Sequence, residues 1–256
     1  MKNKLIEIQN VTFGYNSAPV LENVSLDVCE GDYILLLGPN GGGKTSLVKL
    51  IMGIFTPWKG EIRFAPGVVN RLGYVPQSAE TNRNFPITVF ETVLTGLIGP
   101  ESFLKRYTPE QIERAERMME RLELRDVRRT NIHDLSGGQM QRMLIARALV
   151  LDPVVILLDE PTTSIDLTSQ TNLLDLLRDL NRTKTIIVVT HDPTPYAQVY
   201  NHVACINRRL YFHDRGELQA AHLEKVYGCP VELLGHGIPH ILLHDHHEHP
   251  DKKSDG

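Results

Sequence analysis

The stretch Gly38-Pro39-Asn40-Gly41-Gly42-Gly43-Lys44-Thr45 fits the phosphate-binding pattern G-x-x-x-x-G-K-[ST] without a gap. It lies between an apolar run of strand length, Tyr33 to Leu37, and a segment with helical periodicity, Ser46 to Met52. Glycines allow backbone N–H groups to surround phosphate oxygens, while Lys44 supplies positive charge and Thr45 offers a hydroxyl to Mg²⁺. An ordinary glycine-rich turn is the alternative, and the complete match in this context disfavours it. The sequence therefore predicts a nucleoside triphosphate site.

Length and composition indicate a globular protein with one large α/β domain and room for a smaller appendage. The chain has 256 residues, of which 41% are hydrophobic and 23% charged. No run approaches the ~18 apolar residues of a membrane-spanning helix, and the first residues lack the apolar segment of a secretion signal. The three cysteines, Cys29, Cys205 and Cys229, form no C-x-x-C pair. We therefore expect a cytoplasmic protein without disulfides, and a net charge of −4 gives no general attraction to nucleic acid.

The segments before and after the glycine-rich stretch read as strands. Leu5 to Phe13 and Leu21 to Val28 alternate apolar and polar residues, and a turn-rich segment from Gly14 to Pro19 joins them. Tyr15 in that segment could stack on a purine ring, or it could simply cover the edge of the sheet. Two shorter strands are predicted at Gly60 to Phe64 and Leu72 to Pro76, and the second leads into Gln77.

A helical region is predicted between Pro86 and Leu149, with helices over Thr88 to Leu97 and Pro109 to Leu122. A further helix begins at Ser136, a natural N-cap, and runs through Gly137, Gly138 and Gln139 to Leu149. Bare N–H groups beside two glycines offer a second potential phosphate site. A capped helix that binds nothing explains the same residues equally well.

Polar residues follow two further strands of the predicted sheet. Val154 to Leu158 is followed by Asp159 and Glu160, and Thr185 to Thr190 is followed by His191. Open parallel sheets bind ligands beyond the carboxyl ends of their strands, so these residues should lie beside the phosphate loop. Next to a Mg²⁺-nucleotide, Asp159 can bind the metal or its water, and Glu160 can polarise an attacking water.

Read together, these segments resemble the ATP-binding cassette (ABC) ATPases over nearly all of residues 5 to 220. The resemblance implies an α/β P-loop NTPase fold with a mostly parallel core sheet, an N-terminal antiparallel β subdomain and a helical subdomain. We expect an ABC ATPase domain at 1–230, with its helical subdomain at about 78–150, and a His-rich C-terminal tail at 231–256.

The resemblance also implies roles for matching residues. It places Tyr15 on adenine, the stretch from Gly38 to Thr45 with Ser46 on the phosphates, and Thr45, Gln77 and Asp159 at the Mg²⁺ ion. Glu160 and His191 are the implied catalytic residues. Leu135 to Gln139 form the implied signature, of which Ser136 to Gln139 count as nucleotide-binding. Ser164-Ile165-Asp166 form the implied D-loop, with Asp166 also counted among the nucleotide-binding residues. Gly42 stands where relatives often carry alanine or serine, a change that removes no ligand.

The implied partners follow from the same resemblance. The signature of one protomer would cap the ATP held by another, giving a homodimer with ATP between the subunits. Because the chain has no predicted spanning segment, the membrane permease would be a separate polypeptide, with an extracytoplasmic metal-binding protein as an indirect partner. The protein would sit peripherally on the cytoplasmic face of the membrane, and no nucleic acid partner is expected.

Two segments suggest the transported substrate. The stretch from Asn84 to Gly96 looks like the corresponding segment in ABC ATPases of zinc and manganese uptake. In the tail, His244, His246, His247 and His249 alternate with carboxylates, and His236 or His240 could add a ligand. Imidazole with carboxylate suits zinc, so we expect a zinc site there; a merely solvated tail is the alternative.

The leading hypothesis is an ATP-binding and ATP-hydrolysing subunit that powers import of a divalent metal, zinc or manganese. One alternative is a soluble ABC ATPase that acts on nucleic acid, which the single cassette and the lack of a heptad run disfavour. Another is an importer subunit for a different substrate, such as an iron complex. A metal-binding regulator whose tail acts as the sensor could coexist with transport.

Overall fold

The computed structural model describes residues 3–77, 85–98, 106–163 and 165–214, and it describes residues 231–235 and 239–243 by their backbone alone. In chain order the strands are β1 Lys4–Tyr15, β2 Ala18–Cys29, β3 Tyr33–Leu37, β4 Lys59–Phe64, β5 Leu72–Val75, β6 Val155–Asp159, β7 Thr185–Thr190, β8 His202–Asn207, β9 Arg209–Asp214, β10 Val231–Gly235 and β11 Pro239–Leu243. The helices are α1 Lys44–Ile51, α2 Val89–Thr95, α3 Pro109–Arg121, α4 Gly137–Leu149 and α5 Leu167–Asn181.

A six-stranded sheet forms the centre of the fold, in the order β5-β6-β7-β3-β8-β9. All neighbouring pairs are parallel except β8 and β9. A separate antiparallel sheet in the order β2-β1-β4 forms the N-terminal subdomain. The prediction of an α/β fold with a mostly parallel core and an antiparallel β subdomain is confirmed.

The central sheet is buried on both faces. In β3, Tyr33, Leu35 and Leu37 pack into the apolar core formed with α2 to α5, while Ile34 and Leu36 pack into a second core formed with α1 and the antiparallel sheet. Side chains of a strand alternate between its two faces, so one apolar pentapeptide serves both cores. This explains why the strand reads as a continuous apolar run.

Capping boxes fix the starts of three helices in the helical part of the fold. Thr88, Thr108 and Ser136 each accept a hydrogen bond from the N3 backbone of α2, α3 and α4, and the N3 side chain bonds back to the cap. Ser136 was predicted as an N-cap, and that prediction is confirmed. Arg128 further ties this region together, because it lies 3.9 Å from the ring centroid of Phe90 and its Nε donates to Glu116 at 2.7 Å.

Three features differ from or extend the sequence prediction. Tyr15 is the last residue of β1 and pairs with Ala18, so it does not lie in a loop; the connection is a two-residue turn in which Asn16 has φ 57°. Strands β8 to β11 were not predicted. The pair β10 and β11 lies within the segment predicted as a tail, and the β11 backbone lies near the 3-10 turn Thr194–Tyr196.

The cysteines in the described ranges behave as packing residues. Cys29 is half-buried, and Cys205 is fully buried in β8. Burial raises the pKa of Cys205 to about 12, so this thiol stays protonated at neutral pH. Cys229 lies outside the described residues.

No helix in the described ranges combines the length and the apolar character needed to cross a bilayer.

The contact between α2 and α4 depends on Gly96. A Cβ atom there would lie 2.1 Å from the backbone oxygen of Arg147, and since the φ of Gly96 is −62°, alanine would be opposed by packing alone. We expect Gly96→Ala to lower the free energy of unfolding by about 1–3 kcal/mol, measured by urea titration. Gly67→Ala is the control, because Gly67 has φ +78° and open space around it, and it should cost about 1 kcal/mol from backbone strain. A loss in Gly96→Ala clearly below that in Gly67→Ala would contradict the close approach of α2 and α4.

Candidate functional site

The register of three parallel strands brings the predicted site residues together. Leu37 at the end of β3 is opposite Thr190 at the end of β7, and Asp159 at the end of β6 is opposite Val189. The residues that follow these strands therefore emerge at one edge of the sheet. The prediction that the three strands end side by side is confirmed.

The glycines of the phosphate loop are needed for two different reasons, backbone conformation and close packing. Gly43 precedes α1 with φ +100°, a conformation that side chains disfavour, and a Cβ there would lie 2.5 Å from Leu21. Gly38 has no such backbone requirement, but a Cβ there would lie 2.0 Å from the backbone oxygen of Ile206. The loop is thus shaped by its own turns and by the end of β8.

Lys44 is held inside this loop. Its Nζ donates to the backbone oxygens of Gly38 at 2.8 Å and Pro39 at 3.0 Å, and the side chain is mostly buried. Burial lowers the pKa of Lys44, while the nearby carboxylates of Glu160 and Asp159 act in the opposite direction. An ammonium with rotatable donors in this position can bind phosphate oxygens.

Two consecutive carboxylates, Asp159 at the end of β6 and Glu160 just after it, have different surroundings. Asp159 is 5% exposed. Glu160 has φ +47°, which turns the chain sharply after the strand, and its backbone N–H donates to the oxygen of Val189 at 2.9 Å. A non-glycine residue in this left-handed conformation carries strain, which is common at functional sites.

The Glu160 side chain is fixed by groups on β7 and on its own loop. Its Oε1 lies 2.8 Å from Nδ1 of His191, and its Oε2 accepts hydrogen bonds from the hydroxyls of Thr190 at 3.4 Å and Thr163 at 3.5 Å. Glu160 is mostly buried, whereas 60% of the His191 side chain is exposed. A carboxylate oriented in this way can accept a proton from a water, and the exposed imidazole can contact a further ligand.

These residues surround a cavity of about 570 Å³, a volume within the usual range for small-molecule sites. Its lining consists of Tyr15, Val20, Asn40, Gly41, Gly43, Lys44, Thr45, Ser46, Gln77, Asp159, Glu160, Thr163 and His191. Val20 and Thr163 were not predicted from the sequence. Thr163 could have been suspected from its polar character three residues after Glu160, but Val20 carries no signal beyond its place in a strand.

Pro39 and Gly42 belong to the phosphate loop but do not line the cavity. The N–H of Gly42 donates to the oxygen of Pro39 at 3.0 Å, and the oxygen of Gly42 accepts a hydrogen bond from the N–H of Arg208 at 3.2 Å. Pro39 and Gly42 thus act through backbone bonds.

Tyr15 lies at one end of the cavity. The residue is 46% exposed, and its hydroxyl lies 3.3 Å from Oγ of Ser46 in the first turn of α1. The phenol therefore offers ring surface to a ligand whose phosphates reach the loop.

The predicted signature does not share this cavity. Ser136 and Gln139 bond to each other's backbone at the start of α4, and Gly138 lines a second cavity, of about 280 Å³, between α4 and α5. Asp166 caps α5 by accepting hydrogen bonds from Ser169, which lower the pKa of Asp166. Neither Gly137 nor Asp166 lines the larger cavity, and Ser164 lies outside the described residues. One chain therefore does not bring the signature to the phosphate loop.

Two kinds of metal site were predicted. Thr45, Gln77 and Asp159 line the same cavity and offer hydroxyl, amide and carboxylate oxygens, a donor set that fits Mg²⁺. For zinc, the described part of the chain contains no cluster of three or more His, Cys, Asp or Glu residues. His236, His244, His246, His247 and His249 lie outside the described residues, and His240 lies in β11.

Comparison with known proteins gives a consistent result. The ABC transporter family matches residues 21–163. The chain is 38% identical over 221 residues to the zinc uptake system ATP-binding protein of Listeria innocua, covering 82% of this chain and 85% of the relative. It is 35% identical over 213 residues to the manganese transport system ATP-binding protein of Listeria monocytogenes, covering 81% and 89%. A chain from an ABC transporter described as metal-chelate type, in an inward-facing conformation, has a TM-score of 0.82 at 28% identity, covering 94% of this chain and 97% of that one.

The contacts of Glu160 yield a prediction. Glu160→Gln keeps the shape of the side chain and an oxygen acceptor, but the amide cannot take a proton from water. We expect the rate of ATP hydrolysis to fall by at least about 100-fold with little change in the Kd for ATP. Phosphate release and equilibrium binding measure the two quantities. Glu113→Gln on the exposed face of α3 should leave both unchanged, and near-normal hydrolysis in Glu160→Gln would rule out Glu160 as the base.

Proposed function

This chain belongs to the ABC transporter family, and we propose that it powers the import of a divalent metal ion, zinc or manganese. It is the ATP-binding and ATP-hydrolysing subunit of such a transporter. The observation that carries the proposal is the cavity in which the phosphate loop, Asp159, Glu160 and His191 converge. The choice of metal rests on the relatives from Listeria, whose names specify zinc uptake and manganese transport.

Each group at the cavity has a role in the proposed ATP hydrolysis. Backbone N–H groups of the loop and the ammonium of Lys44 bind the phosphates, and Thr45, Gln77 and Asp159 would hold Mg²⁺. When bound, Mg²⁺ neutralises charge that develops on the phosphate oxygens. Glu160 accepts a proton from the attacking water, and His191, bonded to Glu160, contacts the outer phosphate.

The separation of the two predicted phosphate-binding segments supports a dimer. ABC ATPase subunits of import systems dimerise. We assign the nucleotide-binding residues of the signature, Ser136 to Gln139, to the ATP held by a second copy, in a head-to-tail homodimer. Leu167, 82% exposed at the start of α5, is available for such a contact. Light scattering of Glu160→Gln with ATP tests this arrangement, which fails if the nucleotide-bound protein stays monomeric.

ABC ATPase subunits of import systems also work with membrane permeases. We place this subunit peripherally on the cytoplasmic face, where ATP is available, against a separate permease polypeptide that receives metal from an extracytoplasmic binding protein. Apolar surface for that contact is supplied by Phe85 and Ile98, at the two ends of the described stretch 85–98. Phe85 is 58% exposed and Ile98 is 44% exposed. Co-purification with the permease should weaken in a Phe85→Ser, Ile98→Ser double variant, and unchanged recovery would exclude this surface.

Lys44→Ala should abolish both ATP binding and metal uptake, since the loop loses its cationic side chain for the outer phosphates. The measurement is uptake of labelled zinc and labelled manganese by cells that carry the variant as their sole copy of the protein. Lys59→Ala is the control, because Lys59 is exposed on β4. If uptake of both metals is normal in Lys44→Ala, the proposed function is wrong; loss for one metal alone identifies the substrate.

We also assign zinc binding and regulation to the histidines of the tail. The segment from His244 to His249 follows directly on β11, whose backbone lies near Thr194–Tyr196, a turn that begins three residues after His191. Metal bound there could therefore act on the region around His191 and lower transport when zinc is plentiful. Imidazoles must be neutral to bind zinc, so affinity should fall as pH drops through about 6.5.

Replacing His244, His246, His247 and His249 by alanine should remove zinc binding by the tail and leave ATP hydrolysis intact at low zinc. With the unaltered tail, we expect metal uptake to fall as internal zinc rises. In the variant, uptake should no longer fall at high internal zinc. Replacing His133, an exposed histidine of the helical part of the fold, is the matched control. An unchanged dose response would show that the tail does not regulate transport.

A further inference from the structure

Three aromatic rings form a compact cluster at one end of the nucleotide cavity. Phe13 and Tyr15 come from β1, and Phe55 comes from the loop after α1. Phe13 and Phe55 stack with centroids 5.1 Å apart and an interplanar angle of 21°. Tyr15 stands perpendicular to both, at 5.4 Å and 77° from Phe13 and at 5.7 Å and 87° from Phe55. Edge-to-face contacts of this kind favour one ring orientation.

A polar contact holds the same ring at its tip. The Tyr15 hydroxyl lies 3.3 Å from Oγ of Ser46, which is buried in the first turn of α1. The ring is thus held at its tip by Ser46 and against its body by the two phenylalanines, yet 46% of Tyr15 stays exposed and lines the cavity. Its open surface has a defined direction before any ligand binds.

Phe55 is itself held by α1. After this helix the chain turns back, and the N–H groups of Ile54 and Phe55 donate to the oxygen of Lys49 at 2.9 and 3.4 Å. The Nζ of Lys49 also lies 5.9 Å from the Phe55 ring centroid. Helix α1 therefore begins at the phosphate loop, and Lys49 in its last turn holds Phe55 just beyond its end, so the helix fixes the distance between the phosphate site and the aromatic ring.

We propose that Phe55, together with Phe13, is a positioning residue that orients the Tyr15 ring for stacking on the nucleotide base. The inference rests on the proposed binding of ATP and goes beyond it by assigning base affinity to a residue outside the cavity lining. Preorganisation of a binding group raises affinity because less conformational freedom is lost on binding. The gain should appear only for ligands that carry a base.

The test is Phe55→Leu, which keeps apolar volume but removes the ring. We expect the Kd and KM for ATP to rise about two- to tenfold, the range of an edge-to-face aromatic pair, with little change in kcat. The Kd for inorganic tripolyphosphate should not change, because this probe has no base. Trp58→Leu is the matched control. Trp58 is an exposed aromatic residue, and within the described residues its ring contact is with Phe13, at a centroid distance of 6.2 Å, and not with Tyr15.

A double-mutant cycle gives the decisive readout. If Phe55 acts through Tyr15, Phe55→Leu should weaken ATP binding no further in a Tyr15→Leu background. Unchanged Kd in Phe55→Leu, equal weakening of tripolyphosphate binding, or additive effects in the cycle would each overturn the inference. If Lys44→Ala abolishes ATP binding while Phe55→Leu leaves it unchanged, the ATP site stands and the positioning role alone is wrong. If Lys44→Ala leaves ATP binding intact, the proposed function itself fails.

Discussion

The parallel pairing of β6, β7 and β3 is the constraint on which the site depends. Because Leu37 is level with Thr190, and Asp159 with Val189, the next residue of each strand reaches the same edge of the sheet. A slip of one residue in β7 would turn His191 to the opposite face and break its contact with Glu160. Both cores oppose such a slip, since every residue of β3, β6 and β7 is buried. Packing of the sheet therefore sets the geometry of the candidate site.

A second constraint comes from a strand with no motif of its own. The backbone oxygen of Ile206 in β8 would lie 2.0 Å from a Cβ placed on Gly38 and 2.9 Å from a Cβ placed on Gly42. The N–H of Arg208 then bonds to Gly42. The phosphate loop is therefore packed between α1 and the end of β8. This close approach gives Gly42 a packing reason in this chain.

Much of the fold and site could be predicted because the signals are local. The bounds of β3 follow from one apolar pentapeptide, and the start of α4 follows from the Ser136 capping box. What could not be predicted depends on tertiary contacts. Strand β8 has a core of only four buried residues without alternation, and the direction in which Val20 faces is fixed only by the folded sheet. Likewise, the separation of the signature from the phosphate loop is a property of how α4 packs.

The two backbone acceptors of Lys44 have a consequence for the catalytic cycle. The ammonium has three N–H donors, and two of them bind the backbone oxygens of Gly38 and Pro39. A phosphate oxygen that takes either of these two donors gains only the difference between two hydrogen bonds, whereas the third donor can bind phosphate without that exchange. When the phosphate leaves, the two carbonyls still satisfy the buried lysine. A subunit that must discharge ADP in every transport cycle therefore does not leave this charge without a partner each time its site empties.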